Sequence, residues 1–159
     1  MIIKPDIILT PHSILKDLAI IVNERSGIIE EVSNNYDDCD EIHRYEACIA
    51  VPGFIDLHTQ GCLGFSFSQS NSDEIRKALS EIYPRFGVTS VMATLEAMSN
   101  ESYMLSIKNL LNAVKSEING TNLIGIHLEG PYLNIQKSGS QRKEFIRNPS
   151  LNEFETLYS

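Results

Sequence analysis

In the first fifty positions, apolar residues occur in short runs rich in β-branched side chains, a pattern typical of β-strands. These runs predict strands at 6–10, 18–24, 27–32 and 44–53. The "ERSG" between the second and third runs has the composition of a hairpin turn. We therefore predict that residues 1–50 form part of a small β-unit, with a polar, acidic loop at 33–41.

After Pro52 the pattern changes to an alternation of apolar strands and amphipathic helices. Three apolar runs, spaced 35 residues apart, predict buried strands that begin at Gly53, Val88 and Leu123. The intervening stretches, 71–87 and 100–120, have the periodicity of helices. Strands that alternate regularly with helices form a parallel sheet with right-handed crossovers.

The two predicted helices carry recognisable end signals. Asn71 and Glu74 have the spacing of a capping box, and Pro84 is expected to end or kink the first helix. The second helix is expected to end at Gly120. Its predicted buried stripe is Tyr103, Ile107, Leu110, Leu111, Val114 and Ile118.

The strand spacing fits both a doubly wound sheet and a (β/α)8 barrel, whose units average roughly 31 residues. Only three such strands fit before the sequence ends inside a predicted fourth helix. Three parallel strands alone leave two long edges unpaired and one face uncovered. We therefore expect the chain to be the N-terminal part of a longer protein.

Polar residues lie at the carboxyl ends of the predicted strands, where (β/α)8 barrels carry their active sites. They are His58 and Gln60 on the first strand, Thr94 and Glu96 on the second, and His127 and Glu129 on the third, with Glu96 expected to belong to the loop that follows. Asp56, His58 and Gln60 alternate along the first strand and are expected to share a face. His127 and Glu129 do the same on the third strand. An imidazole and a carboxylate that converge from different strands suit a divalent metal, although a lone histidine is more commonly a structural residue.

Longer strings resemble one enzyme family. The segment "GIHLEGPYLNIQKSGSQRKEFIRNP" (125–149) resembles a block of the N-acetylglucosamine-6-phosphate deacetylases, members of the amidohydrolase superfamily. "VPGFIDLHTQG" (51–61) resembles their first barrel strand, and "YPRFGVTSVMATL" (83–95) resembles their second helix-to-strand junction. The resemblance implies an α/β fold: part of a small β-sandwich at 1–50, then the first three βα units of a metal-dependent, TIM-like (β/α)8 barrel at 51–159.

The same resemblance implies site residues. It makes Glu129 a metal ligand, with two histidine ligands and the acid/base Asp expected beyond residue 159, so that no catalytic residue lies within the chain. The "KSGSQ" loop implies that Ser140 and Gln141 contact the amino-sugar, although many family members have His at the position of Gln141. Asn134 is a further candidate for substrate binding or for anchoring this loop.

The first strand decides between two kinds of metal site in this family. Some members carry His-x-His and hold two metals, whereas others lack both histidines and hold one. This chain has His58 followed by Gln60, and amides are poor zinc ligands. We predict one divalent ion per subunit, with zinc favoured, centred on Glu129. His58 is a further candidate for the metal or the substrate, and Gln60 is disfavoured as a ligand.

The composition and net charge of the chain limit which binding partners and which cellular location are expected. A net charge of -8 without a basic stripe argues against nucleic acid. No apolar run approaches the roughly 18 residues of a membrane span, and the N-terminus lacks a signal-peptide layout. Three cysteines without CxxC spacing, Cys39, Cys48 and Cys62, fit reduced thiols. A cytoplasmic location without membrane partners is expected.

The implied activity is hydrolysis of N-acetylglucosamine 6-phosphate, a phosphorylated N-acetylamino sugar, to glucosamine 6-phosphate and acetate. The complete protein is expected to be a homodimer, and the chain as given is expected to be inactive alone. Two alternatives remain at this point. One is another amidohydrolase acting on a C–N bond, such as a deaminase or cyclic amidase. The other is a truncated product without catalysis.

Overall fold

A computed structural model describes residues 1–36 and 41–158. The chain divides into two compact units, Met1–Pro52 and Gly53–Ser159. Residues 37–40 of the predicted acidic loop, including Cys39, lie outside the described residues.

The first unit is a five-stranded sheet. Its strands are β1 (Ile2–Leu9), β2 (Ile14–Lys16), β3 (Ala19–Asn23), β4 (Ile28–Ser33) and β5 (Ile42–Ala50). β1 pairs with β2 and β3 in antiparallel fashion and with β5 in parallel. The predicted "ERSG" hairpin joins β3 to β4, with Gly27 at a φ of 68°. The strand-rich character predicted for this part of the chain is confirmed.

The second unit contains three parallel strands in the order β6, β7, β8. They are β6 (Phe54–Thr59), β7 (Val88–Leu95) and β8 (Asn122–Leu128). The α-helices are α1 (Ser72–Lys77), α2 (Asn100–Ala113) and α3 (Leu151–Tyr158). The predicted strand–helix alternation is therefore confirmed. It places the carboxyl ends of all three strands at one edge of the sheet.

The first crossover helix begins as predicted and changes geometry along its length. Asn71 accepts hydrogen bonds from the backbone of the first turn, and Glu74 completes the capping box. A π-helical turn (Ala78–Ile82) and a 3-10 turn (Tyr83–Phe86) follow α1, and the segment ends at Gly87 with a φ of 72°. Proline has no backbone N–H, so Pro84 cannot continue regular α-helical bonding.

The predicted end of the second helix is wrong: α2 ends at Ala113, not at Gly120. The guanidinium of Arg76 donates to the carbonyl of Ala113 at 2.6 Å and to two carbonyls just beyond it. These bonds satisfy the last carbonyls of the helix from a neighbouring element. Gly120 has another role, because a Cβ there would lie 2.4 Å from the carbonyl oxygen of Leu79.

The predicted buried stripe of α2 is correct only in part. The buried positions are Tyr103, Ser106, Leu110 and Ala113. Leu111 and Val114 are instead 56% and 40% exposed. Small side chains let α2 pack closely, and the hydroxyl of Ser106 donates to the carbonyl of Ser68 at 3.0 Å.

The core of the second unit lies between the central strand β7 and the helices. β6 and β8 each have one neighbouring strand among the described residues. Phe54, Ile55 and Leu57 of β6 are 59%, 62% and 58% exposed. Within residues 1–36 and 41–158, no helix combines the length and apolar character needed to cross a lipid bilayer.

Candidate metal and substrate site

Glu129 is the centre of a polar cluster at the carboxyl ends of β6 and β8. Its Oε2 accepts a hydrogen bond of 2.5 Å from the Nε2 of Gln60 and lies 3.5 Å from the Nε2 of His58. Its backbone N–H donates to the carbonyl of Leu95 at 3.0 Å, which extends the β7–β8 ladder by one residue. The backbone of Glu129 is therefore fixed by the sheet. Its carboxylate is contacted by two of the side chains that were predicted to share a face of the first strand, His58 and Gln60.

Asp56 does not join this cluster, although it shares the predicted alternation. Its Oδ1 accepts the backbone N–H of His58 at 3.1 Å. The register between β6 and β7 shifts between Asp56 and Thr59, which interrupts the strict period of two. The predicted common face therefore applies to His58 and Gln60 only.

His127 contacts His58. The two rings meet edge to face, with centroids 4.9 Å apart and planes at 81°. The Nδ1 of His127 is 3.2 Å from the hydroxyl oxygen of Thr94, which is completely buried. The cluster thus contains two imidazoles, one carboxylate and one primary amide.

The side chains of this cluster include the types of ligand that a divalent ion binds, but fewer of them than a metal site needs. Glu129 Oε2 and His58 Nε2 are 3.5 Å apart, close to the about 3.3 Å between two ligand atoms of a tetrahedral zinc ion. Gln60 points an N–H at the carboxylate, so that nitrogen offers no lone pair. Among the described residues, no group of three or more His, Cys, Asp or Glu is arranged to hold a metal.

The loop after Glu129 folds back onto the end of β7. Gly130 permits this approach, since a Cβ there would lie 2.8 Å from the Cβ of Ala97. The carbonyl oxygen of the Gln141 side chain accepts the backbone N–H of Ala97 at 2.7 Å. Of the two residues predicted to contact substrate, Gln141 is thus anchored through its oxygen, whereas Ser140 is exposed.

Asn134 has a local role in the same loop. Its Oδ1 accepts the backbone N–H of Gln136 at 2.9 Å and starts a 3-10 turn (Ile135–Lys137). Arg142 is exposed and pairs with Glu144.

Arg147 closes the loop and was not identified from the sequence. Its guanidinium donates to the carboxylate of Glu153 on α3, to the carbonyl of Met98 at 3.0 Å and to the side chain of Asn100 at 2.6 Å. The hydrogen bond from Arg147 lowers the pKa of the Glu153 carboxyl below its usual value. An arginine before a helix with an acidic first turn was the available signal, but Met98 and Asn100 are remote from Arg147 in sequence.

Thr94 was identified from the sequence only as a polar residue at the carboxyl end of its strand. Its contact with His127 was not predicted, because a threonine in an apolar strand has the character of an ordinary β-former. The structure places it one residue before the end of β7, directly opposite His127.

Sequence comparison connects this geometry to characterised proteins. The chain is 31% identical over 152 residues to the N-acetylglucosamine-6-phosphate deacetylase of Haemophilus influenzae, covering 93% of this chain and 39% of that protein. It is 29% identical over 153 residues to the enzyme of the same name from Bacillus subtilis, covering 92% of this chain and 38% of that protein. The chain therefore spans about two fifths of the length of these curated relatives. No family model matches it.

Solved structures with a similar fold include enzymes of the same name. A variant N-acetyl-D-glucosamine-6-phosphate deacetylase from Mycobacterium smegmatis, solved in complex with N-acetyl-D-glucosamine-6-phosphate, superposes with a TM-score of 0.81 at 25% identity. The match covers 99% of this chain and 39% of that structure. The predicted α/β fold class is thus confirmed: a small sheet unit precedes the first three strands of an amidohydrolase barrel. In sequence and in fold, the chain corresponds to the N-terminal part of the N-acetylglucosamine-6-phosphate deacetylases, as the "HLEGPYLN" block predicted.

Proposed function

We propose that this chain is the N-terminal part of a metal-dependent deacetylase that hydrolyses N-acetylglucosamine 6-phosphate to glucosamine 6-phosphate and acetate. The observation that carries this proposal is the convergence of Glu129, His58 and Gln60 at the strand ends. It occurs within a chain that is similar over 93% of its length to such an enzyme.

Glu129 would hold one divalent ion, with zinc favoured, and His58 is positioned either to share it or to bind substrate. The chemistry that such an ion supplies when bound is acidification of water and polarisation of a carbonyl. Gln60 orients the Glu129 carboxylate by donating to it. The remaining histidine ligands and the Asp that moves the proton would come from the part of the relatives beyond this chain.

The loop that follows Glu129 would bind the amino-sugar. Ser140 is exposed, and Gln141 keeps its amide N–H groups available while its oxygen holds Ala97. Asn134 supports the loop by shaping its first turn. We further propose that the complete enzyme is a cytoplasmic homodimer whose partner molecules are small phosphorylated sugars.

A hybrid enzyme tests this function. In it, residues 1–159 replace the matched N-terminal segment of the Haemophilus influenzae deacetylase. We expect the purified hybrid to release acetate from N-acetylglucosamine 6-phosphate, and the 159-residue chain alone to release none. A hybrid that folds cooperatively and loads metal, yet releases no acetate, contradicts the proposal.

The Arg147–Glu153 pair is expected to stabilise the loop that leaves the site. In the hybrid, Glu153→Gln should weaken the attachment of α3 by about 1.5–3 kcal/mol, because it removes a charge-assisted hydrogen bond that is only 12% exposed at the carboxylate. Hydrogen exchange of the backbone amides of α3 (Leu151–Tyr158) measures this. The matched control is Glu144→Gln, which breaks the exposed Arg142–Glu144 pair and should leave exchange unchanged.

The same pair predicts a pH dependence. The pKa of Glu153 is lowered in the folded state, so its stabilisation is present above the unfolded pKa of about 4.3 and is lost as the pH falls through the folded pKa. The difference in exchange between the hybrid and its Glu153→Gln variant should therefore be full at pH 7 and shrink below pH about 4. A difference that stays constant across this range would exclude the ionised pair as its cause.

A further inference from the structure

Thr94 joins three strands through one hydroxyl group. It lies directly opposite His127 in the β7–β8 pairing, and its side chain is completely buried. Its Oγ1 is 3.2 Å from the Nδ1 of His127 and accepts the backbone N–H of Thr59 at 3.0 Å. Thr59 is where the register between β6 and β7 shifts, so the threonine oxygen provides the acceptor at that irregularity.

The positions of the protons follow from these two contacts. A backbone N–H can only donate, so Thr94 Oγ1 is an acceptor toward Thr59. The hydroxyl still has one proton, and among the described residues His127 Nδ1 is the acceptor within hydrogen-bond distance. If Nδ1 carried a proton, the hydroxyl oxygen would accept from it as it accepts from Thr59, and the buried hydroxyl proton would be left without an acceptor.

We propose that Thr94 is a positioning residue that fixes His127 as the tautomer with its proton on Nε2, so that His127 offers the site an N–H donor. That this donor serves a deacetylase rests on the proposed function, whereas the tautomer itself does not. Hydrogen bonding at one ring nitrogen generally sets the state of the other in this way.

The assignment separates the roles of the two histidines. The lone pair of His127 Nδ1 is engaged by Thr94, and its Nε2 has no hydrogen-bond partner in the described part of the chain. With a proton on Nε2, His127 has no nitrogen free to bind a metal, although it stands two residues before Glu129. It is a donor for an oxygen acceptor, such as a carbonyl or hydroxyl oxygen of the substrate. His58, whose Nε2 lies 3.5 Å from Glu129, carries no such constraint.

Nitrogen NMR of the hybrid reads the tautomer directly. Only the 1–159 segment is labelled with ¹⁵N-histidine, by ligation, so that its four histidines are observed. The metal-free protein is measured at a pH where imidazoles are neutral, and His127→Gln assigns the signal. We expect a protonated-type shift at Nε2 of His127 and an unprotonated-type shift at Nδ1.

Two substitutions test the part played by Thr94. Thr94→Val removes the hydroxyl with little change of shape. It should give a mixture of tautomers and lower kcat by about 10–100-fold, with a smaller effect on KM. Thr94→Ser keeps the hydroxyl and should restore both the spectrum and the rate. Thr89→Val, an exposed threonine on the same strand, is the control and should change neither.

A proton on Nδ1 of His127 in the unsubstituted hybrid would overturn the proposal, and so would an unchanged tautomer in a folded Thr94→Val variant. If Thr94→Val does not fold, the unsubstituted and Thr94→Ser spectra decide: Nε2 protonation in both supports the assignment, and any other state overturns it. A hybrid that shows the expected tautomer but releases no acetate supports the assignment of Thr94 and refutes the proposed function alone.

Discussion

Glu129→Gln in the hybrid enzyme is expected to remove most of the bound metal and to lower deacetylase activity roughly a thousandfold or more. The substitution keeps the shape of the side chain and deletes the negative charge that a divalent ion needs. It also leaves the amide of Gln60 facing another amide in place of the carboxylate oxygen that it now contacts at 2.5 Å. Metal content of dialysed protein and the initial rate of acetate release measure the two losses.

The matched control for this prediction is Gln60→Ala. It removes one hydrogen bond to Glu129 and no charge, so we expect a loss of only about tenfold in activity and little loss of metal. Equal loss of metal in the two variants would contradict a one-metal site centred on Glu129. Retention of metal in Glu129→Gln would do the same.

The 159-residue chain expressed alone is expected to be aggregation-prone or molten, with strong binding of hydrophobic dyes. Phe54, Ile55 and Leu57 of β6 are more than half exposed, and Ile124 of β8 is 44% exposed. Burying one such side chain stabilises a protein by about 1.5–3 kcal/mol, whereas a whole domain is stable by only about 5–15 kcal/mol. Leaving several uncovered on two unpaired strand edges removes much of that margin.

Dye fluorescence, size-exclusion chromatography and thermal unfolding measure this expectation. Leu57→Lys places a charge on the exposed β6 edge and should reduce dye binding and aggregation, whereas Lys77→Gln on α1 should not. A monomer with one cooperative unfolding transition and little dye binding would show that residues 1–159 form a self-sufficient domain. The interpretation of residues 53–159 as three strands that depend on the rest of a barrel would then be wrong.

Local signals in the sequence predicted the elements well, because they depend on neighbours along the chain. The capping box at Asn71 and the apolar runs of β6, β7 and β8 are such signals. The end of α2 was mispredicted because Arg76, more than thirty residues earlier, satisfies its last carbonyls. A terminal glycine signal cannot reveal a partner that only the tertiary fold supplies.

The residues of the candidate site also differ in how far local sequence signals could predict their positions. Glu129 and His58 could be predicted, since charged or imidazole side chains at the ends of buried strands are conspicuous. The position of Asp56 could not, because the register shift in β6 breaks the period of two on which the prediction relied. Thr94 could be placed at the carboxyl end of its strand, but its contacts with His127 and Thr59 could not be predicted, because they depend on how the strands pair.

Metal titration of the chelator-treated hybrid, followed by acetate release from N-acetylglucosamine 6-phosphate, shows whether one ion at Glu129 is required. We expect that activity is absent without metal, rises with added divalent ion and reaches its plateau at one ion per subunit. The Glu129→Gln hybrid should show neither the binding nor the rise. Full activity in the metal-free hybrid, or a plateau that requires two ions per subunit, would contradict a single-metal deacetylase site centred on Glu129.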